Sequence, residues 1–303
     1  MMIEYIYAGI VGLLIGSFLN VVALRTPKRM MWQWRRDALE FLDITDTTYK
    51  EMLVKENKQD VVSSETSSNI SMEDENQPAG VVKKRSHCFS CGNTISWYDN
   101  IPVLSYLFLK GKCRNCKSRI SWQYPLVELA SGILAVCAVV QFGLSLEAVA
   151  LYGFFAVCLV LTVIDFRTQL LPDDIVLPSL WIALAWSVFA PLMDAQALSP
   201  SLAIVGACVG YLSLWSVYWG FKLVTGKEGM GYGDFKLLAL IGAFLGPSYI
   251  LSTLVVATVV GLIVGTVLLR KKGESQPFAF GPYLALGGIV CAMMMQFPFI
   301  KIP

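Results

Sequence analysis

Two carboxylates stand where an apolar chain has reason to exclude charge. Asp234 lies in Gly231-Tyr232-Gly233-Asp234-Phe235-Lys236, at the mouth of an apolar run. Asp165 closes the run Leu151 to Ile164 and is followed by Phe166-Arg167-Thr168-Gln169-Leu170-Leu171-Pro172-Asp173. A lone Asp after Gly-x-Gly reads first as the N-cap of a membrane helix, with the glycines supplying tight or positive-φ turns. A second such acid changes the reading. Two carboxylates held close together share a proton, so the pair offers a base for water and an acid for an amide carbonyl, which is aspartic-protease chemistry. No triad competes: the single histidine, His87, neighbours a cysteine, and no Gly-x-Ser-x-Gly turn occurs.

The second chemical constellation is Cys88-x-x-Cys91 with Cys113-x-x-Cys116. Two such pairs match a four-thiolate zinc site, each pair supplying two ligands to a tetrahedral ion. The competing reading is two disulfides, which a reducing cytoplasm disfavours. His87 could tune or replace a ligand, but four thiolates already fill the shell. Cys137, Cys158, Cys208 and Cys291 lie singly in apolar runs and read as packing.

These residues need elements to carry them. With 55% apolar and 15% charged residues in 303, the chain is a polytopic membrane protein. Its net charge of +2, concentrated in one block, gives no reason to expect nucleic acid. Ile3 to Leu24 is long enough to cross the bilayer, and Arg25, Lys28, Arg29, Arg35 and Arg36 follow it. The N-terminus is therefore expected outside, and the first span uncleaved. Met30 to Leu42 reads as an interfacial helix and Asp43 to Gly80 as a polar flexible insertion. Seven further apolar runs follow: about 125–142, 148–164, 175–192, 201–224, 235–245, 249–269 and 282–297. Eight spans leave only Lys301 of the basic residues outside and return Asp165 and Asp234 to one cytoplasmic rim.

The expected architecture is all-α, a polytopic membrane protein of about eight transmembrane helices with a small cytoplasmic zinc-binding module. Its parts are a first helix over 1–25, a linker with the polar insertion over 26–82, the four-cysteine module over 83–124, and a seven-helix membrane peptidase domain over 125–303. Asp173 and Asp174 read as N-terminal caps of the fourth span. Lys236 either supports the charge of Asp234 or snorkels to the headgroups. Glu128 either contacts substrate or lies at the interface.

In order along the chain, these motifs resemble the bifunctional type IV prepilin peptidases, the leader peptidases and N-methyltransferases of type IV pilus and type II secretion systems. Gly16-Ser17-Phe18-Leu19-Asn20-Val21-Val22 with Arg25 and Pro27 is similar to the family's opening motif. The paired Cys-x-x-Cys motifs, Pro125-Leu126-Val127-Glu128-Leu129, the acid before Leu171-Pro172-Asp173, the Gly-x-Gly-Asp block and Pro277-Phe278-Ala279-Phe280-Gly281-Pro282 follow in family order. The resemblance covers all but the polar insertion. It implies Asp165 and Asp234 as the catalytic acids, Cys88, Cys91, Cys113 and Cys116 as the zinc-type module, and Gly111 as a glycine tied to methyl transfer. It implies prepilin or pseudopilin substrates cut at the cytoplasmic face of the bacterial inner membrane, then N-methylated with S-adenosylmethionine.

Three other readings compete. A presenilin-like protease shares the Gly-x-Gly-Asp but gives no reason for the cysteines. A proton-coupled transporter would use Asp165 and Asp234 as a relay, yet no inverted repeat is evident. A zinc-anchored scaffold would leave both acids incidental.

Overall fold

The computed structural model describes residues 2–42, 86–227, 229–272 and 279–294, with the side chains of 268–272 left aside. The polar insertion, Lys83, Pro277, Phe278 and Lys301 lie outside the described residues. Nine α-helices occur among them, and no strand: α1 (Met2–Phe41), α2 (Leu104–Phe108), α3 (Gln123–Phe142), α4 (Leu146–Thr168), α5 (Asp173–Phe189), α6 (Pro200–Thr225), α7 (Tyr232–Leu245), α8 (Ile250–Lys272) and α9 (Gly281–Met294). Two isolated antiparallel bridges, both in the cysteine module, are the extended pairings among the described residues. The all-α expectation holds.

Among the described residues, six helices are long and apolar enough to cross a membrane: α1, α3, α4, α6, Asp173–Met193 (α5 with its 3₁₀ extension) and Pro247–Val267 (within α8 and the turn before it). The other two of the eight expected spans are α7 and α9, each 14 residues. Shortness and burial go together. Phe235, Leu237, Leu238 and Ile241 of α7 are fully buried, so this helix is covered by protein all round rather than by lipid. Elsewhere the outward faces are apolar, as with Ile133, Trp181, Leu223 and Leu262, which suits contact with acyl chains.

The chain divides into two compact units, Met1–Ala23 with Ser86–Pro303, and Leu24–Arg85. Helix α1 runs unbroken past the expected end of the first span at residue 25, and past Pro27, into the stretch expected to lie along the membrane. Within the second unit, Arg36 stacks over the Trp32 ring at 5.3 Å.

Small residues let the membrane helices touch. A Cβ placed on Gly12 or Gly16 of α1 would lie 2.6 Å from Ala135 Cβ or 2.8 Å from Glu128 Cα of α3. Gly206 and Gly210 of α6 bring its backbone against Gly242 and Leu238 of α7 in the same way. Without a hydrophobic drive between helices in lipid, this close backbone packing is a main source of association. Buried hydrogen bonds add to it. Ser131 Oγ of α3 donates to Gly12 O of α1 at 2.7 Å and lies 2.8 Å from the Tyr152 hydroxyl of α4. Asn20 Nδ2 of α1 donates to Tyr124 O of α3 at 3.1 Å.

Candidate active site and metal centre

Asp165 sits in the last turn of α4, which ends four residues later where Gln169, in the left-handed conformation, donates its N–H to Asp165 O at 2.9 Å. Asp234 sits in the first turn of α7. Both carboxylates are buried, at 4% and 8% exposure, and lie within electrostatic range of each other. The helix ends that carry them also carry the start of α3, since Arg167 Nε donates to Gln123 Oε1 at 2.6 Å. The structure therefore brings the two acids to one end of the helix bundle, the end from which the cysteine module continues into α3.

Their surroundings were not legible beforehand. Gly281, the first residue of α9, packs its backbone on Asp165: a Cβ there would lie 2.6 Å from Oδ2. The Gly281 N–H faces this carboxylate without closing a well-formed hydrogen bond, so Oδ2 is a buried acceptor with no hydrogen-bond partner. Leu171 touches both sides of the cleft. Its side chain would meet a Cβ on Gly233 at 2.8 Å and one on Gly281 at 3.2 Å.

The structure corrects three expectations about this rim. Gly231 and Gly233 have no positive φ; Gly231 is an extended N-cap at φ −81°, and Gly233 serves the close approach of Leu171 instead. Pro172 is the N-cap of α5, so Asp173 and Asp174 occupy its first turn rather than its cap, where negative charge still suits the helix dipole. Lys236 neither serves Asp234 nor runs free to the headgroups: its Nζ lies 2.7 Å from both carboxylate oxygens of Asp173. Glu128 is likewise settled on protein. Its Oε2 accepts the Val103 N–H at 2.8 Å, tying α3 to the module at a residue with φ of +61°.

The module repeats itself. Cys88 N–H donates to Asn93 O and Cys113 N–H to Ser118 O, at 2.9 and 2.8 Å. The bridges His87 with Thr94 and Lys112 with Arg119 occupy equivalent places, and Gly92 and Lys117 turn with φ of +69° and +60°. Two knuckles thus present Cys88, Cys91, Cys113 and Cys116, whose sulfur atoms all lie within 4.8 Å of one another. All four are free thiols. Cys88 and Cys116 are 3.7 Å apart, close to the roughly 3.8 Å edge of a tetrahedron with Zn–S bonds of about 2.3 Å. The donor set fits a metal ion of the zinc type. Backbone N–H groups of Cys91 and Ser90 lower the Cys88 thiol to about 6, whereas Cys91, although the Asn93 N–H pulls it down, is raised to about 11 by burial and the neighbouring thiols. Four thiols this close do not all ionise without a cation.

Gly111 is placed by this architecture and not by the acid cleft. It has φ of +66°, accepts the Ile120 N–H at 2.8 Å, and faces Tyr106, whose hydroxyl a Cβ would approach to 2.8 Å. Asp99 clamps the second knuckle through Arg114, which donates Nη2 at 2.6 Å and Nε at 2.8 Å.

The bacterial peptidase A24 N-terminal domain matches residues 10–142, and the type IV leader peptidase family matches residues 152–266. A prepilin leader peptidase/N-methyltransferase of Pseudomonas putida is 44% identical over 94% of this chain and 89% of its own length. Its namesake in Xanthomonas campestris pv. campestris is 43% identical over 92% and 87%. That of Aeromonas salmonicida is 38% identical over 93% and 88%. No solved structure matches the chain significantly. The four-cysteine knuckles, the paired acids and the end-to-end likeness to these relatives agree, and the chain belongs to the type IV leader peptidase family.

Proposed function

We propose that this protein cleaves the short basic leader of prepilins or pseudopilins at the cytoplasmic face of the inner membrane and then N-methylates the new terminus with S-adenosylmethionine. The observation that carries the peptidase half is the pair of buried carboxylates, Asp165 and Asp234, at one end of the helix bundle. One carboxylate takes a proton from water as the oxygen attacks the scissile carbonyl carbon, and the other gives its proton to the carbonyl oxygen. Collapse of the tetrahedral species breaks the C–N bond, and the proton passes to the departing amine. Asp165 Oδ2, buried and unpartnered, is a ready acceptor for that water. The apolar helix of the substrate stays in lipid while its cut site reaches the rim.

Cys88, Cys91, Cys113 and Cys116 would hold a zinc ion, which supplies folding energy to the knuckles and no step of the cleavage. The module, at the same end and solvent-exposed, is the part a soluble charged cofactor reaches, and Gly111 within it is the residue we assign to methyl transfer. The relay-transporter reading finds no support in the three relatives described above, each named as a prepilin leader peptidase/N-methyltransferase. The test is to incubate the purified full chain with a prepilin and S-adenosylmethionine and weigh the product. A mature chain one methyl heavier is expected; an intact prepilin would overturn the proposal.

A further inference from the structure

The connection from Asp165 to α5 is fastened to the start of α7 at two points. Leu171 packs on the backbone of Gly233, the residue before Asp234. Asp173, the first residue of α5, receives Lys236 Nζ on both oxygens at 2.7 Å, two residues after Asp234. Residues two apart on a helix point about 200° from each other, so Lys236 faces away from Asp234 and toward α5. It is not the counter-ion of the acid. The two fastenings bracket Asp234, and both act on the eight residues that lead away from Asp165.

An ion pair with Lys236 at 27% and Asp173 at 53% side-chain exposure adds little to global stability. Its geometric effect is larger, because the start of α7 has no side-chain cap to fix it and the space a Cβ on Gly231 would occupy is open. We propose that Lys236 and Asp173 form a clasp that, together with Leu171, sets the separation of Asp165 and Asp234. They are positioning residues and touch no reacting atom. The inference rests on those two acids being the catalytic pair.

A double-mutant cycle on prepilin cleavage tests it, using the full chain in lipid vesicles: Lys236→Met, Asp173→Asn, the two together, and Lys236→Arg. Each single neutralisation should lower kcat about tenfold with KM within about twofold, and thermal stability should hardly move. The double variant should be no worse than either single one, since both remove the same contact. Lys236→Arg should recover most of the rate. Additive losses of about a hundredfold, a loss confined to KM, or an effect of Lys236→Met with Asp173→Asn unaffected would each overturn the clasp. So would two fully active single variants. An inactive unsubstituted chain would strike the peptidase reading itself, and the clasp with it, whereas additive losses in an active chain strike the clasp alone.

Discussion

The acid cleft and the cysteine module are built on opposite plans. The module is local: Ser86 to Ile120 supplies two turns, four thiols and their backbone hydrogen bonds, and Cys116 stays exposed. The cleft is assembled from afar, with Asp165 on α4, Leu171 in the following turn, Asp234 on α7 and Gly281 on α9, all buried or half-buried. A local site held by metal is expected to fail when the ion leaves. A long-range site held by helix packing is expected to fail when a backbone contact is crowded. Each plan can be broken without the other.

The largest effect belongs to the acids. Asp165→Asn and Asp234→Asn should each reduce cleavage by on the order of a thousandfold or more while the protein stays folded and inserted, measured as initial rates on a prepilin. Substantial cleavage by either variant removes that residue from the mechanism. Gly281→Ala comes next. Its new methyl group would crowd Asp165 Oδ2 at 2.6 Å and should cost about a hundredfold in kcat, because sub-ångström placement of the acid is at stake. Full activity in this variant would show that Asp165 moves freely, against the packed cleft described above.

On the module side, a strong chelator or acid should release one metal ion per chain and loosen hydrogen-exchange protection between Ser86 and Ile120, with the membrane helices unaffected. Metal-free protein with its cysteines oxidised in pairs would contradict the zinc reading. In the stripped protein Cys88 should alkylate first. Its thiolate predominates above about pH 6, so labelling by iodoacetamide should slow as the pH falls through that value. The smallest effect separates two glycines of the knuckles. Gly92 and Gly111 both have positive φ, so alanine at either costs roughly 1 kcal/mol, but only Gly111 also meets Tyr106. Gly111→Ala should therefore weaken metal retention more than Gly92→Ala, by competition with a chromogenic chelator.

The two regions also differ in how far the sequence revealed them. The thiols were readable because Cys-x-x-Cys spacing is itself the geometry of half a metal site. Asp165 and Asp234 were readable because charge beside an apolar run is conspicuous, and alternation of spans returns both to one end. Leu171 and Gly281 stand inside motif blocks, but nothing in those blocks gives them a role at the acids; an apolar side chain and a helix-starting glycine acquire one only when helices far apart in sequence meet. Lys236 reads in sequence as supporting Asp234 or snorkelling to the headgroups, and neither holds, because helical rotation gives it Asp173. The basic run after Leu24 suggested that the first helix ends at residue 25, yet the helix continues to Phe41, since Pro27 within it removes only one hydrogen bond.

The central claim is that two chemistries reside in two separable regions. Product masses from a prepilin incubated with S-adenosylmethionine and either Asp165→Asn or Cys113→Ser protein test it most directly. The account predicts intact prepilin from Asp165→Asn and, from Cys113→Ser, mature pilin lacking its methyl group. If Cys113→Ser loses cleavage as completely as Asp165→Asn, the module shapes the acid cleft and the separation is wrong.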